Sequence, residues 1–596
     1  MRYVIPLDSE TEPFAPGYMA PRLVCLQYED GAGPHLITRA SGALETVGAL
    51  LRDPDLLLVG HNVAYDMAVF CAEGFTAEVF SAYETGRVHD TWVLERLGEI
   101  AGYSQRKTLD LTTCCKAHGI KPPELKEDGL ATGFAQFLDA REIPDPWRQY
   151  ALDDLVVGKL YERQLKRFRD VKPEVLELFS RVSFWTRLMS NHGLRTSPEA
   201  VEALRQRAAE ELAYLRPLAL EYGFLRPNGT RNMTAIYGAL EAAYGPHTPR
   251  TPTGRPQTSA LILSEAPDPR LQAFASFGTW LKTESADVPM LQAGILHPRY
   301  GLADTGRTTC SKPNVQNLPG KGGVKECIRP SPGCAFIERD YSGIELCTFA
   351  QTCVWELGRH HMADAINRSG DPGALHALLG GYLLRCSPEE LMRRYAAGDP
   401  DAVNARTRAK NANFGFIGGL GHRRFVDYVR LLSKGKIILS ERESKALKDA
   451  WGEANPDGPA YLQWVGDSEL FDGTFEALIP GSNLLRRGMW YSAAANCRFQ
   501  GLAAAIMAEA GWQLAKWWKL GGGPPLALFV HDSMVLDCPI ADVHDVDVEF
   551  ERILREAAAR VMPDVITKTA GAAMDRYSKD AKRVVRDGKL CIWSPE

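Results

Sequence analysis

Apolar runs that end in a carboxylate recur along this chain. Leu528-Phe529-Val530 leads into His531-Asp532, and Met534-Val535-Leu536 leaves it. That pattern predicts a β-hairpin with Asp532 at its tip. Cys334-Ala335-Phe336-Ile337 runs into Glu338-Arg339-Asp340-Tyr341-Ser342, a second strand ending in an acid. Near the start, Val4-Ile5-Pro6-Leu7 runs into Asp8-Ser9-Glu10. On a strand, positions i and i+2 share a face, so Asp8 and Glu10 point the same way. Leu56-Leu57-Leu58-Val59 predicts another short strand, followed by a helix beginning within Gly60-His61-Asn62-Val63-Ala64-Tyr65-Asp66. Tyr150 and Asp154 are four apart on a helix that continues through Leu160, so they are neighbours on one face. Arg406, Lys410, Phe414 and Gly418 also recur every four residues, which lines them along one helical stripe. Proline and glycine are densest at 245–257 and around 319–333, and loops are expected there.

The length of 596 residues allows several domains of about 100–200 residues each. Hydrophobic content of 45% and charged content of 24% are those of an ordinary globular protein. No apolar run approaches the roughly 20 residues that span a bilayer. The N-terminus turns acidic at Asp8, too early for a secretory signal. The 13 cysteines are scattered, with one adjacent pair, Cys114-Cys115, and no CxxC. Such a set argues for reduced thiols in the cytoplasm and against zinc. A net charge of −5 is unusual for a chain that binds phosphates, but clustered catalytic acids can coexist with one basic cleft. No internal repeat or long low-complexity segment is present.

Taken singly, each acidic motif reads equally well as a solvated strand end or surface carboxylate. Together they carry more. Asp8, Glu10, Asp66 and Asp154 with the Tyr150 phenol suit a two-metal hydrolytic site. Asp340 and Asp532, two strand-end acids flanking a cationic helix, suit binding of a nucleoside triphosphate and transfer of its nucleotidyl group.

The first set resembles the DnaQ-like 3′–5′ exonucleases at Asp8 and Glu10, at Asn62 and Asp66, and at Tyr150 and Asp154. His89-Asp90-Thr91 matches a structural segment of that fold. The resemblance implies that all four acids hold metal and that Tyr150 orients the attacking water. The rest of the chain resembles the family A DNA polymerases, of the bacterial DNA polymerase I large-fragment type. The resemblance rests on Thr305-Gly306-Arg307 through Asn314-Val315-Gln316-Asn317-Leu318-Pro319, on Asp340-Tyr341-Ser342-Gly343-Ile344-Glu345, on Arg406 to Gly418, on Asn496-Cys497-Arg498-Phe499-Gln500-Gly501 and on His531-Asp532-Ser533.

That resemblance implies an α/β and α+β multidomain chain. An RNase H-like exonuclease domain (1–170) precedes a right-hand polymerase: thumb (171–300), palm (301–358 and 481–596) and fingers (359–480). It implies two Mg²⁺ per active site, with Mn²⁺ as an alternative, held by Asp340, the Tyr341 carbonyl and Asp532, and by Asp8, Glu10, Asp66 and Asp154. Glu345 is expected under the incoming sugar. Arg406, Lys410 and His376 are expected on the triphosphate, and Phe414 on the nucleoside. Arg307, Asn314, Gln316, Asn496, Gln500 and His531 are expected on DNA. The implied partners are primer–template DNA and dNTPs, with single-strand-binding protein, helicase or primase around them. A monomer in the cytoplasm, without membrane association, is expected. No 5′-nuclease segment stands before Asp8, and the 195–290 region leaves no room for a large processivity insert; both suit a phage replicase. Four positions depart from the family. Gly343 stands where Gln is usual, Cys347 where Arg is, Ser533 where Glu is, and Gly418 where a Tyr normally stacks. At 418 the expectation is open space, a softened helix and looser base selection. The basic set Lys579, Lys582, Arg583, Arg586 and Lys589 reads either as a DNA contact or as a solvated helix. Two rival readings are a nuclease-dominant enzyme and a catalytically silent DNA-binding module; intact Asp340, Lys410 and Asp532 speak against both.

Overall fold

The computed structural model describes residues 2–595 apart from 124–128, 131, 252, 321 and 434–436. Two sheets organise it. The first has five strands in the order Gly33–Thr38, Leu23–Asp30, Tyr3–Thr11, Leu56–Gly60, Val88–Asp90. The first three form an antiparallel meander, and the last two run parallel to Tyr3–Thr11. Parallel neighbours need crossover connections, and helices Ala43–Arg52, Ala64–Ala72 and Thr76–Glu84 supply them. Ile5, Leu7 and Ser9 are buried while Asp8 and Glu10 are half-buried on the opposite face, as the period-two pattern predicts. The helix expected to run from Tyr150 through Leu160 is interrupted. Trp147–Asp153 ends in a 3₁₀ turn, Asp154–Val156, before Val157–Arg167 resumes.

Helix Pro173–His192 ties the two sheets together. Its Phe184 stacks on Tyr83 and approaches Trp512. Trp185 lies against Gly511, where an added Cβ would fall 2.5 Å from the indole, so only glycine lets helix Tyr491–Leu520 approach this closely. One apolar core therefore runs from the first sheet into the second. Ion pairs Arg96–Asp304 (2.5 Å) and Arg487–Asp170 (2.7 Å) cross the same boundary. Helices Pro198–Glu221, Met233–Tyr244 and Pro269–Lys282 instead enclose a separate core that includes Leu212, Phe224, Leu240 and Phe274.

The second sheet has six strands in the order Leu526–Val530, Ser533–Pro539, Cys334–Tyr341, Thr569–Met574, Lys589–Trp593, Val584–Arg586. His531 and Asp532 form the two-residue turn of the predicted hairpin, with His531 at φ 58°. Left-handed backbone in such a turn matches the twist of the flanking strands. Under the sheet, Arg339 is 2% exposed and bonds Asp547 (2.8 Å), Thr569 (2.8 Å) and Glu551 (2.8 Å). Between the two halves of this sheet in sequence lies a helical block built on Ala374–Leu384, Pro400–Ile417 and Glu441–Ala454. The basic C-terminal segment is not a helix: Arg586 ends one edge strand, Lys589 begins the next, and Arg583 pairs with Asp547 at 2.9 Å.

Candidate active sites

The central strand pairs Asp340 with Ser533, so the hairpin tip sets Asp532 beside Asp340. The Tyr341 N–H donates to the Asp532 carbonyl at 3.3 Å, and the two carboxyl groups lie close enough to act on each other. Burial, then the charges of Asp532 and Glu338, push the Asp340 carboxyl well above the usual carboxylate range. Burial raises Asp532 as well. Two acids held this close repel, and a bound divalent cation would relieve that repulsion. The Tyr341 hydroxyl is turned away, donating to the Leu554 carbonyl at 2.5 Å.

Beside the acids is a cavity of about 190 Å³ lined by Arg307, Glu345, Ala504, Met507, His531 and Asp532. Arg307 is ion-paired with Glu345, so two residues expected on different ligands meet each other here. Gln316 donates to the Phe529 carbonyl at 3.2 Å, on the strand that leads to Asp532, while Asn314 is exposed. Gln500 lies one turn beyond Asn496 and donates to its side chain at 3.4 Å.

Helix Pro400–Ile417 carries the cations. Lys410 is exposed, and Arg406 lies half-buried over the Tyr395 ring at 4.6 Å. His376, buried, accepts from the Asn413 amide at Nδ1 (2.9 Å), which leaves its proton on Nε2. Burial and the charges of Arg406 and Lys410 lower His376 to about 4, so it stays neutral among cations. Its ring is 5.7 Å from that of Phe414. His376 thus joins the Arg406–Lys410–Phe414 stripe.

Gly418 does not lie inside the helix. It is the residue that ends it, at φ −83°, and the space beside it is filled. A Cβ at 418 would stand 2.6 Å from Asn496 Oδ1 and 2.9 Å from its Nδ2. That amide donates to the Gly418 carbonyl at 3.0 Å and to the Ser492 carbonyl at 2.7 Å. The expected open, softened position is therefore corrected: Asn496 occupies it.

At the first sheet, ligand atoms of Asp8, Glu10 and Asp154 all lie within 4.8 Å of one another. Gln27 donates to Asp8 at 2.8 Å. Tyr150 is half-buried, its ring 5.7 Å from that of Phe134. Asp66 does not join them. It is 3% exposed and accepts from Ser9 Oγ at 2.5 Å, and Ser9 points to the face opposite Asp8 and Glu10. Burial pushes it up to about 7. Alternation along the strand turns Ser9, and with it this contact of Asp66, away from Asp8 and Glu10. Asp90 is structural, as expected: it accepts from the backbone N–H of Asn62 (2.9 Å) and caps helix Thr91–Ile100.

The profile of DNA polymerase family A matches residues 233–575, more than half of the chain. The chain belongs to DNA polymerase family A. It is 27% identical over 351 residues to a DNA polymerase I of Streptococcus pneumoniae serotype 4, covering 55% of this chain and 37% of that one. It is 23% identical over 545 residues to the DNA polymerase I of Chloroflexus aurantiacus, covering 85% and 53%. The chain thus spans about a third to a half of the length of the curated relatives it matches. Its fold is similar to that of the POL domain of Pol1 from M. smegmatis, solved in complex with DNA primer-template and dNTP. The TM-score is 0.70 at 18% identity, over 97% of this chain and 95% of that one.

Within that family the departures acquire local reasons. Gly343 adopts φ 59°, a left-handed start to helix Ile344–Leu357, and its Cβ would stand 3.2 Å from Pro372. Cys347 is fully buried, and burial pushes its thiol up to about 12. Ser533 donates to Glu338 at 3.0 Å. Sequence reasoning passed over Glu338 and Asn413, although the i, i+2 spacing of Glu338 and Asp340 was a readable signal.

Proposed function

We propose that this chain extends a primer 3′-OH with dNTPs against a template, releasing pyrophosphate, and that its N-terminal part removes nucleotides from 3′ ends. The observation that carries the first activity is the Asp340–Asp532 pair, brought side by side by strand pairing from positions far apart in sequence. The carboxylates of Asp340 and Asp532, with the Tyr341 carbonyl, would hold two Mg²⁺. When bound, such ions lower the pKa of the attacking hydroxyl and stabilise charge on the α-phosphate and leaving oxygen.

The chain's own groups do the remainder. Arg406 and Lys410 bind the β- and γ-phosphates by charge-assisted hydrogen bonds. Neutral His376 offers its Nε2–H to the same phosphates, and Phe414 packs on the nucleoside. Glu345 borders the sugar of the incoming nucleotide. Arg307, Asn314, Gln316, Asn496, Gln500 and His531 orient the primer–template. Residues 1–170 are read as the exonuclease domain, 171–300 as thumb, 301–358 and 481–596 as palm, and 359–480 as fingers.

The cluster of Asp8, Glu10 and Asp154 supports the hydrolytic activity, again with Mg²⁺ as the ion, Asp66 as the fourth acid and Tyr150 orienting water. Among the described residues no helix is long and apolar enough to cross a membrane. Primer extension and primer degradation, each with and without dNTPs, test both activities. Asp8→Ala with Glu10→Ala abolishes degradation and spares extension, and Asp532→Ala does the reverse. Loss of both activities from either change, in a folded protein, refutes the assignment of separate sites.

A further inference from the structure

The strand that carries Asp340 carries a second acid on the same face. Glu338 lies two residues earlier, about 7 Å along the strand, and both side chains are half-buried on the side that meets the hairpin tip. The intervening Arg339 points the other way, into the buried ion-pair network with Asp547 and Glu551. Ser533 follows Asp532 directly, stands opposite Asp340 in the antiparallel pairing, and donates its hydroxyl to Glu338 Oε1 at 3.0 Å. Glu338 therefore reaches the strand position next to Asp532 from the adjoining strand. The charge of Lys325 also acts on Glu338, and that ammonium lies 4.9 Å from the Tyr577 ring centre.

We propose that Glu338 is the third carboxylate of the polymerising centre, a positioning residue that acts through Ser533 and through its charge on the Asp340–Asp532 pair. The inference rests on the polymerase reading above. Physically, a carboxylate two residues along the strand from Asp340, about 7 Å away, would add to the attraction that the pair exerts on a divalent cation. The Ser533–Glu338 bond also pins the hairpin tip to the central strand, which keeps Asp532 from drifting out of reach of Asp340. Position 533 is where the family resemblance calls for Glu, and here the acid stands on the neighbouring strand instead. Because the two side chains touch, a carboxylate carried by residue 533 can occupy the place that Glu338 fills.

The test is a relocation of the acid. Glu338→Gln, Ser533→Glu and the combination are made in an Asp8→Ala, Glu10→Ala background, which removes the other carboxylate cluster. Mn²⁺ binding to enzyme with a dideoxy-terminated primer–template is followed by EPR of the free ion, and extension is measured separately. Glu338→Gln is expected to weaken Mn²⁺ binding about tenfold and to slow extension at least as much, with an unchanged melting temperature. The combination is expected to recover both to within about threefold of the parent. Unchanged Mn²⁺ binding in Glu338→Gln overturns the proposal, as does a combination no better than Glu338→Gln alone. Absence of extension by the unaltered chain would instead strike the polymerase reading itself, so the two failures are distinguishable.

Discussion

Replacing Gly418 with alanine adds one methyl group where Asn496 already stands. The backbone there, φ −83° and ψ 10°, is open to any L-residue, so the change carries no conformational penalty of its own. The new Cβ falls 2.6 Å from Asn496 Oδ1, 2.9 Å from Nδ2 and 3.2 Å from Cγ. These atoms are the end of a flexible side chain, so the amide swings away rather than the helix. In doing so it loses the 3.0 Å bond to the Gly418 carbonyl. One neutral hydrogen bond is worth about 0.5–1.5 kcal/mol, or roughly a two- to tenfold change in an equilibrium or rate. Asn496 is assigned to the primer–template, so the cost should fall on DNA affinity and on extension of a matched terminus. Single-nucleotide insertion in an exonuclease-deficient background measures it, with Asn496→Ala completing a double-mutant cycle. In the Asn496→Ala background, Gly418→Ala should be neutral within about 0.5 kcal/mol, because the displaced group is gone. Wild-type kinetics for Gly418→Ala, or an undiminished loss in the Asn496→Ala background, would refute the reasoning. The first result would mean that position 418 is open after all.

Lys410→Ala should cut nucleotide addition by about 1.5–3 kcal/mol, ten- to a hundredfold, and leave primer–template affinity nearly unchanged; an equal fall in DNA affinity would place Lys410 on the duplex. Arg339→Ala should destabilise the chain by about 3–5 kcal/mol in urea unfolding, because Asp547, 1% exposed, loses its nearest buried counter-charge. A loss below about 1 kcal/mol would show that Arg583 alone satisfies that carboxylate. Asp537 tests the pH dependence: burial alone would raise its pKa, but hydrogen bonds from His192 and from the Ser331 hydroxyl and N–H hold it below the ordinary value. A depressed folded-state pKa contributes stability above the unfolded value, near 3.9, that is lost as pH falls through the folded one. The stability gap between the parent and Asp537→Asn should therefore narrow as pH drops from about 5 to 3, and a constant gap would contradict it.

What the sequence determined by itself was direction within each element. Side-chain orientation repeats every two residues on a strand and every 3.6 on a helix, so Asp8 with Glu10, Asp532 at a hairpin tip, and Arg406, Lys410 and Phe414 on one stripe could all be read without a partner in view. The order of the motifs also carried the family. Which faces meet is a different matter, because it depends on packing between segments that local periodicity does not encode. The same alternation that aligned Asp8 and Glu10 put Ser9 on the reverse face, and only the placement of helix Ala64–Ala72 made Asp66 its partner there. Gly418 reads as a vacancy until helix Tyr491–Leu520 brings Asn496 to it from 78 residues away. Glu338 and Ser533, 195 residues apart, become neighbours only through the register of two antiparallel strands. The basic C-terminus, for which a solvated helix was one reading, forms sheet instead, its strand Lys589–Trp593 running parallel to Thr569–Met574. Local sequence sets where each side chain points; the tertiary structure decides what it points at, because burial and hydrogen bonding reward contacts that span hundreds of residues.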